Sequence, residues 1–155
     1  MSEILMAHDD GAEFGAPIFE HRIVVGVDGS VQSERALDWA ITQAQRGGAT
    51  LEIVTAWTFP MALGYAFTAT VNEVRQAAQN VVDGAIARVT EVAPDVIVRG
   101  HPAEESPGPA LVTASEGAEL LVVGSRGMGG FKELLLGSVS QFCARHASCS
   151  VMVVR

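Results

Sequence analysis

The chain has 155 residues, which suits one domain with one core, and 48% of them are hydrophobic, so disorder is not the default state. With 18 acidic against 10 basic residues the formal net charge is −8, which argues against a protein built to coat nucleic acid. An anion site built from backbone N–H groups is still compatible with that charge.

Residues 1–20 carry Asp9, Asp10, Glu13 and Glu20, and Gly11, Gly15 and Pro17 interrupt them. This stretch reads as a flexible acidic leader ahead of a single domain over residues 21–155. It has neither the basic region nor the apolar region of a secretory signal. No apolar run in the chain approaches the roughly 20 residues of a membrane span. The two cysteines, Cys143 and Cys149, form no CxxC pattern and no disulfide framework. They point to a reducing, cytoplasmic setting and to unreactive thiols.

Arg22 to Asp28 contains the run Ile23-Val24-Val25-Gly26-Val27. β-Branched residues without alternation predict a strand buried on both faces. Asp28-Gly29-Ser30 makes a turn, and Ser30 is placed to cap the helix that follows. Ala36, Leu37, Ala40, Ile41 and Ala44 recur at helical spacing over residues 31–46, and Gly47-Gly48 stops the pattern. A second strand is predicted from Leu51 to Trp57, then a long connection over residues 58–70 that contains Pro60 and Gly64. A long helix follows over residues 71–92, with Pro94 beyond its end. The third strand is read at Val96 to Arg99, closed by Gly100-His101-Pro102, and the third helix is clearest from Ala110 to Glu116. Glu119 to Val123 is a fourth strand, Ser138 to Ala147 a last helix, and Ser150 to Val154 a fifth strand.

The order is strand–helix throughout. It predicts an α/β fold, a five-stranded parallel doubly wound sheet, Rossmann-like, with helices on both faces. Ligands in such sheets bind beyond the carboxyl ends of the strands. That rule singles out Asp28, Ala56-Trp57, Gly100 and Gly124.

The segment Gly124-Ser125-Arg126-Gly127-Met128-Gly129-Gly130, continuing to Gly137-Ser138, leaves a buried strand and ends at a helix N-terminus. Glycines let a backbone approach a ligand closely. The N–H groups of Ser138, Val139 and Ser140 have no carbonyl one turn back and face an anion with the helix dipole behind them. The hydroxyls of Ser125, Ser138 and Ser140 add donors, and Arg126 and Lys132 fit either a phosphate contact or a solvated surface. Two other phosphate motifs fail: Phe131 stands where a Walker loop needs lysine, and no GxGxxG follows the first strand.

The glycine pattern is that of the universal stress protein signature, G-x2-G-x9-G-S/T, at Gly124, Gly127, Gly137 and Ser138. The chain resembles this family over about residues 20–155. Val25 to Ser30, Gly100-His101-Pro102 and Leu135 to Ser140 resemble further family segments in the right order. The resemblance implies the ATP-binding subgroup, with ATP and Mg²⁺ as ligands and cyclic AMP as the alternative. It implies that Asp28, Gly29 and Ser30 lie beside the nucleotide, with Asp28 near any Mg²⁺. By the same resemblance Ala56 contacts adenine through its backbone, Val123 and Gly124 border the adenine and ribose, and Gly127, Gly137, Ser138, Val139 and Ser140 hold the phosphates, while Gly100, Ser125 and Arg126 complete the expected nucleotide-binding set. It also implies a homodimer paired through the C-terminal strand, which an order 3-2-1-4-5 leaves at an edge with no proline to guard it.

The plainer readings stand beside these. Asp28 also fits a turn cap. His101 reads as a neutral loop histidine, His146 as helix packing, and Trp39 and Trp57 as packing residues. No Ser-His-Asp set, zinc motif or Walker lysine is visible, so at most slow ATP hydrolysis or autophosphorylation is expected. A response-regulator receiver shares the alternation but needs an acidic cluster after the first strand, where only Asp28 stands. A scaffold with an empty cleft is the remaining alternative.

Overall fold

The computed structural model describes residues 20–59, 70–128 and 136–155. Nine elements alternate along it: β1 (Glu20–Gly26), α1 (Val31–Gly47), β2 (Thr50–Trp57), α2 (Val71–Val92), β3 (Val98–Glu104), α3 (Pro107–Ala114), β4 (Ala118–Gly124), α4 (Ser138–His146) and β5 (Ser150–Val154). All strand pairs are parallel, in the order β3-β2-β1-β4-β5, so the predicted architecture holds. The order reverses at β1, where the chain returns past it to β4, and the C-terminal ends of β1 and β4 part at that point.

The strand period of two sorts the core into two layers. Ile23, Val25 and Val27 face α1 and α2, packing against Leu37, Ala40, Ile41, Ala85 and Val89. Val24, Val54, Leu121 and Val123 face the other side, with Leu111 from α3 and Cys143 from α4. β1 and β2 are buried on both faces, β1 through its run Ile23 to Val27 and β2 with Glu52 and Thr55 buried among its apolar residues.

Local signals fix the helix starts. Ser30 caps α1, its Oγ accepting the Ser33 N–H at 3.2 Å, and Gly48 ends the helix at φ 71°. Thr70 and Glu73 form a reciprocal capping box at α2. α3 begins at Pro107, three residues before the predicted start at Ala110, because proline lacks an N–H that the first turn would leave unpaired anyway.

The third strand differs most from expectation. Gly100-His101-Pro102 does not close it but runs through its middle, with Ile53 opposite Gly100 and Thr55 opposite Pro102. β3 is an edge, where proline is tolerated. A Cβ on Gly100 would lie 2.8 Å from Val82 Cγ1, so the glycine lets α2 settle onto the sheet. β1 begins at Glu20, the last residue of the expected leader, and the rest of that leader lies outside the described residues.

Candidate functional site

A cavity of about 560 Å³ opens where the C-terminal ends of β1, β2 and β4 meet the N-terminus of α4. Gly26, Val27 and Asp28 reach it from β1 and the turn after it, Val54 and Ala56 from β2, and Val123 and Gly124 from β4. Ser33 of α1 and Pro107 and Leu111 of α3 close its sides. Arg126, Gly127 and Met128 form one rim, and Gly137 to Ser140 form the opposite wall.

Asp28 ties the rim to the sheet. Its Oδ1 accepts the Ser30 N–H at 2.9 Å, and its Oδ2 accepts the Met128 N–H at 3.1 Å. Burial opposes the charged carboxylate, but hydrogen bonds from Ser30, Ser33 and Met128 together outweigh it and hold its pKa below the ordinary 3.8. A Cβ on Gly127 would sit 2.8 Å from the same Oδ2, so the glycine is what allows this clasp. Gly124 is constrained in the same way: a Cβ there would meet the backbone carbonyl of Gln32 at 2.9 Å.

Ser125 is the second tie. Its N–H donates to the Val154 carbonyl at 2.7 Å, and its own carbonyl accepts the Gly137 N–H at 2.7 Å and the Ser140 hydroxyl at 3.1 Å. The Ser140 hydroxyl also reaches the Gly137 carbonyl at 3.0 Å. The Ser140 hydroxyl thus has two carbonyl acceptors within the chain. Ser125 is buried and does not line the cavity. The first intrahelical bond of α4 runs from Gln141 N–H to the Gly137 carbonyl, which leaves the N–H groups of Ser138, Val139 and Ser140 without a carbonyl one turn back. They stand in the cavity wall at the positive end of the helix dipole.

The structure thus brings together Asp28, Ala56, Val123, Gly124, Arg126, Gly127, Gly137, Ser138, Val139 and Ser140 around one cavity. Gly29 and Ser30 stand behind it: Gly29 makes the turn at φ 82° and Ser30 caps α1. Gly100 does not border the cavity, since it lies within β3 against α2. Lys132, Gly129 and Gly130 lie outside the described residues. Sequence reasoning missed Gly26, Val27, Ser33, Val54, Pro107, Leu111 and Met128. Val54 was reachable, because it shares a strand face with Ala56, whereas the two α3 residues arrive only by tertiary packing.

The plainer assignments also find places. Trp57 is buried and Trp39 packs against the α1–α2 layer. His101 lies on β3 with Nδ1 3.7 Å from Glu52 Oε1, and so is not in a loop. The His146 ring packs 4.3 Å from that of Phe142. Burial pushes the Cys143 thiol up to about 11, which suits an unreactive side chain. Among the described residues no group of three or more His, Cys, Asp or Glu side chains could hold a metal ion, and no helix is long and apolar enough to cross a membrane.

A doubly wound sheet with a glycine-lined cavity at its switch point places the chain in the Rossmann-like class of α/β proteins. Within that class, residues 20–155 match the universal stress protein family, and the chain belongs to it. It is 35% identical over 159 residues to universal stress protein Rv2623 of Mycobacterium tuberculosis, covering 98% of this chain and 50% of that protein. The chain thus spans about half the length of such mycobacterial relatives. It is 32% identical over 150 residues to universal stress protein YxiE of Bacillus subtilis, covering 87% of this chain and 99% of that one. A solved universal stress protein in complex with cAMP superposes with a TM-score of 0.69 at 28% identity, covering 89% of this chain and 98% of that one.

Proposed function

We propose that the cavity binds an adenine nucleotide, ATP with Mg²⁺ in the first place and cyclic AMP as the alternative, and that the protein acts as a cytoplasmic stress-response regulator rather than as an efficient enzyme. The observation that carries this reading is the pairing of two unlike sets of residues in one cavity. One set is Ser138, Val139 and Ser140 at the N-terminus of α4, with Arg126, and the other is the apolar residues Val54, Ala56, Leu111 and Pro107. Phosphate suits the first and a flat base the second. The related protein solved with cAMP supports the same class of ligand.

Mg²⁺ fits only as a companion of the phosphates. Asp28 is the one carboxylate among the described lining residues, and it already accepts two backbone N–H groups. It can add a single oxygen at most, with phosphate and water completing the shell. No second side chain among the described lining residues is a general base for water, which supports slow or absent turnover.

Titration calorimetry with ATP–Mg²⁺ and with cyclic AMP is the direct test, backed by native mass spectrometry of ligand carried through purification. One site per chain is expected, and failure of both nucleotides at millimolar concentration overturns the reading. Phosphate release from saturating ATP at about 1 per second or faster would place the protein among ordinary enzymes instead.

The same reading extends to a homodimer through β5. That strand is an edge, and Met152 is exposed on it while Val151, Val153 and Val154 are half-buried. β3, the opposite edge, carries Pro102 and β5 carries none. Sedimentation of the wild type as a monomer at tens of micromolar would rule this out. Val153→Pro, which removes a ladder donor, is expected to shift a dimer toward monomer.

A further inference from the structure

We propose that Leu111 is a specificity-determining residue that sets the depth of the apolar end of the cavity, and that it does so because it rests on the bare Cα of Gly26. The proposal rests on the adenine-nucleotide reading and goes beyond it to the size of base that the site accepts.

The geometry is a stack of three contacts. A Cβ on Gly26 would lie 2.8 Å from Leu111 Cδ1 and 2.9 Å from Cδ2, closer than real carbon atoms approach. Leu111 therefore occupies the volume that any other residue at position 26 would fill. Leu111 is 5% exposed and packs with Val24, Val54 and Val123, so its methyl groups have protein on one side and the cavity on the other. The helix that carries it cannot back away. A Cβ on Gly108, in the first turn of α3, would lie 2.7 Å from Phe142 Cδ1, so α3 is seated directly against α4. With α3 seated on α4 and β1 below Leu111, a displaced Leu111 side chain is expected to move toward the cavity that it lines.

Two opposite consequences follow. Adding one methyl at position 26, itself a lining position, displaces Leu111 and is expected to shorten the base end. Trimming Leu111 deepens the same end, and apolar pockets discriminate about 10- to 200-fold for a group of methylene size.

The experiment titrates wild type, Gly26→Ala, Leu111→Val, Leu111→Ala and the double variant Gly26→Ala/Leu111→Val with ATP, cyclic AMP and three ATP analogues carrying benzyl at N6, phenyl at C2 or phenyl at C8. Gly26→Ala is expected to weaken the natural nucleotide at least 10-fold, and Leu111→Val in the double variant to restore most of that loss. Leu111→Ala is expected to raise the affinity for at least one enlarged analogue, relative to the natural nucleotide, by 10-fold or more. Leu111→Val and Gly26→Ala keep the test decisive where Leu111→Ala fails to fold. Wild type that binds ATP or cyclic AMP while every variant keeps its size preference overturns this proposal and leaves the nucleotide reading standing. Wild type that binds neither overturns both.

Discussion

The two ends of the sheet both bury polar groups, but they treat them in opposite ways. At the N-terminal end, Arg22 is buried and its Nη1 donates to Glu52 Oε2 at 2.9 Å and to the Ala114 carbonyl at 2.8 Å. Its Nη2 donates to the Glu116 carbonyl at 2.8 Å, while Arg99 reaches the same Glu52 oxygen at 2.9 Å. These donors are turned onto partners within the chain. At the C-terminal end the helix N–H groups of Ser138, Val139 and Ser140 face a cavity instead. A buried charge that is matched internally serves the fold, whereas oriented dipoles facing a hollow are preorganised for something that is not protein.

Separating the two ends by mutation gives the largest effects. Arg22→Ala leaves Glu52 buried with its remaining partners on β3, and breaking such a pair costs about 3–5 kcal/mol of stability. Urea unfolding should show that loss, while nucleotide affinity of the protein that remains folded should hold within about twofold. Gly127→Val is the converse. Its side chain collides with Asp28 Oδ2 and breaks the clasp to Met128, so binding should fall at least about 100-fold, or roughly 2.7 kcal/mol. The unfolding midpoint should change little by comparison. A large loss of stability in Gly127→Val with binding intact would reverse the roles assigned to the two ends.

Acidity sharpens the contrast more gently. At the N-terminal end, the Gly47 carbonyl and then Glu119 Oε2 hydrogen-bond the His21 imidazole and raise its pKa above 6.5. A group whose folded pKa is raised stabilises fully below its unfolded value and loses that contribution as pH climbs through the folded value. At the C-terminal end Asp28 is depressed, so its contribution is present above 3.8 and is lost as pH falls through the lower folded value. Stability measured against pH should therefore show a slight decline above 6.5 that disappears in His21→Phe. It should also show an acid limb below 3.8 that is diminished in Asp28→Asn. Of all these effects the His21 decline is the smallest, because that ring is exposed.

The sequence was most legible where one stretch of chain does the whole job. The glycine segment from Gly124 to Ser140 names its own cradle, because the glycines, the helix terminus and the strand are consecutive. β1 was legible for the same reason, since its β-branched run Ile23 to Val27 reports burial on both faces. Legibility failed where glycine and proline were read as punctuation. In β3 they mark an edge strand beneath a helix, and in α3 Pro107 opens the helix. It failed again where the site depends on contacts between distant segments. Nothing local in Gly26 announces that Leu111 rests on it. Likewise Asp28 reads equally as a turn cap and as a ligand contact until Met128 is seen at its second oxygen.

Ser125 carries a consequence for synthesis of the chain. Its backbone joins the Val154 carbonyl on one side to Gly137 and Ser140 on the other, so this wall of the cavity is pinned by the last of the described strands to leave the ribosome. A nascent chain that has emerged through α4 already carries the glycines, the capped helices and four strands of the sheet. It still lacks the carbonyl that fixes Ser125, and the cradle stays loose until β5 docks. Under the proposed function, a chain stalled just short of β5 is expected to bind nucleotide more weakly than the finished domain, because it lacks the Val154 carbonyl that holds Ser125.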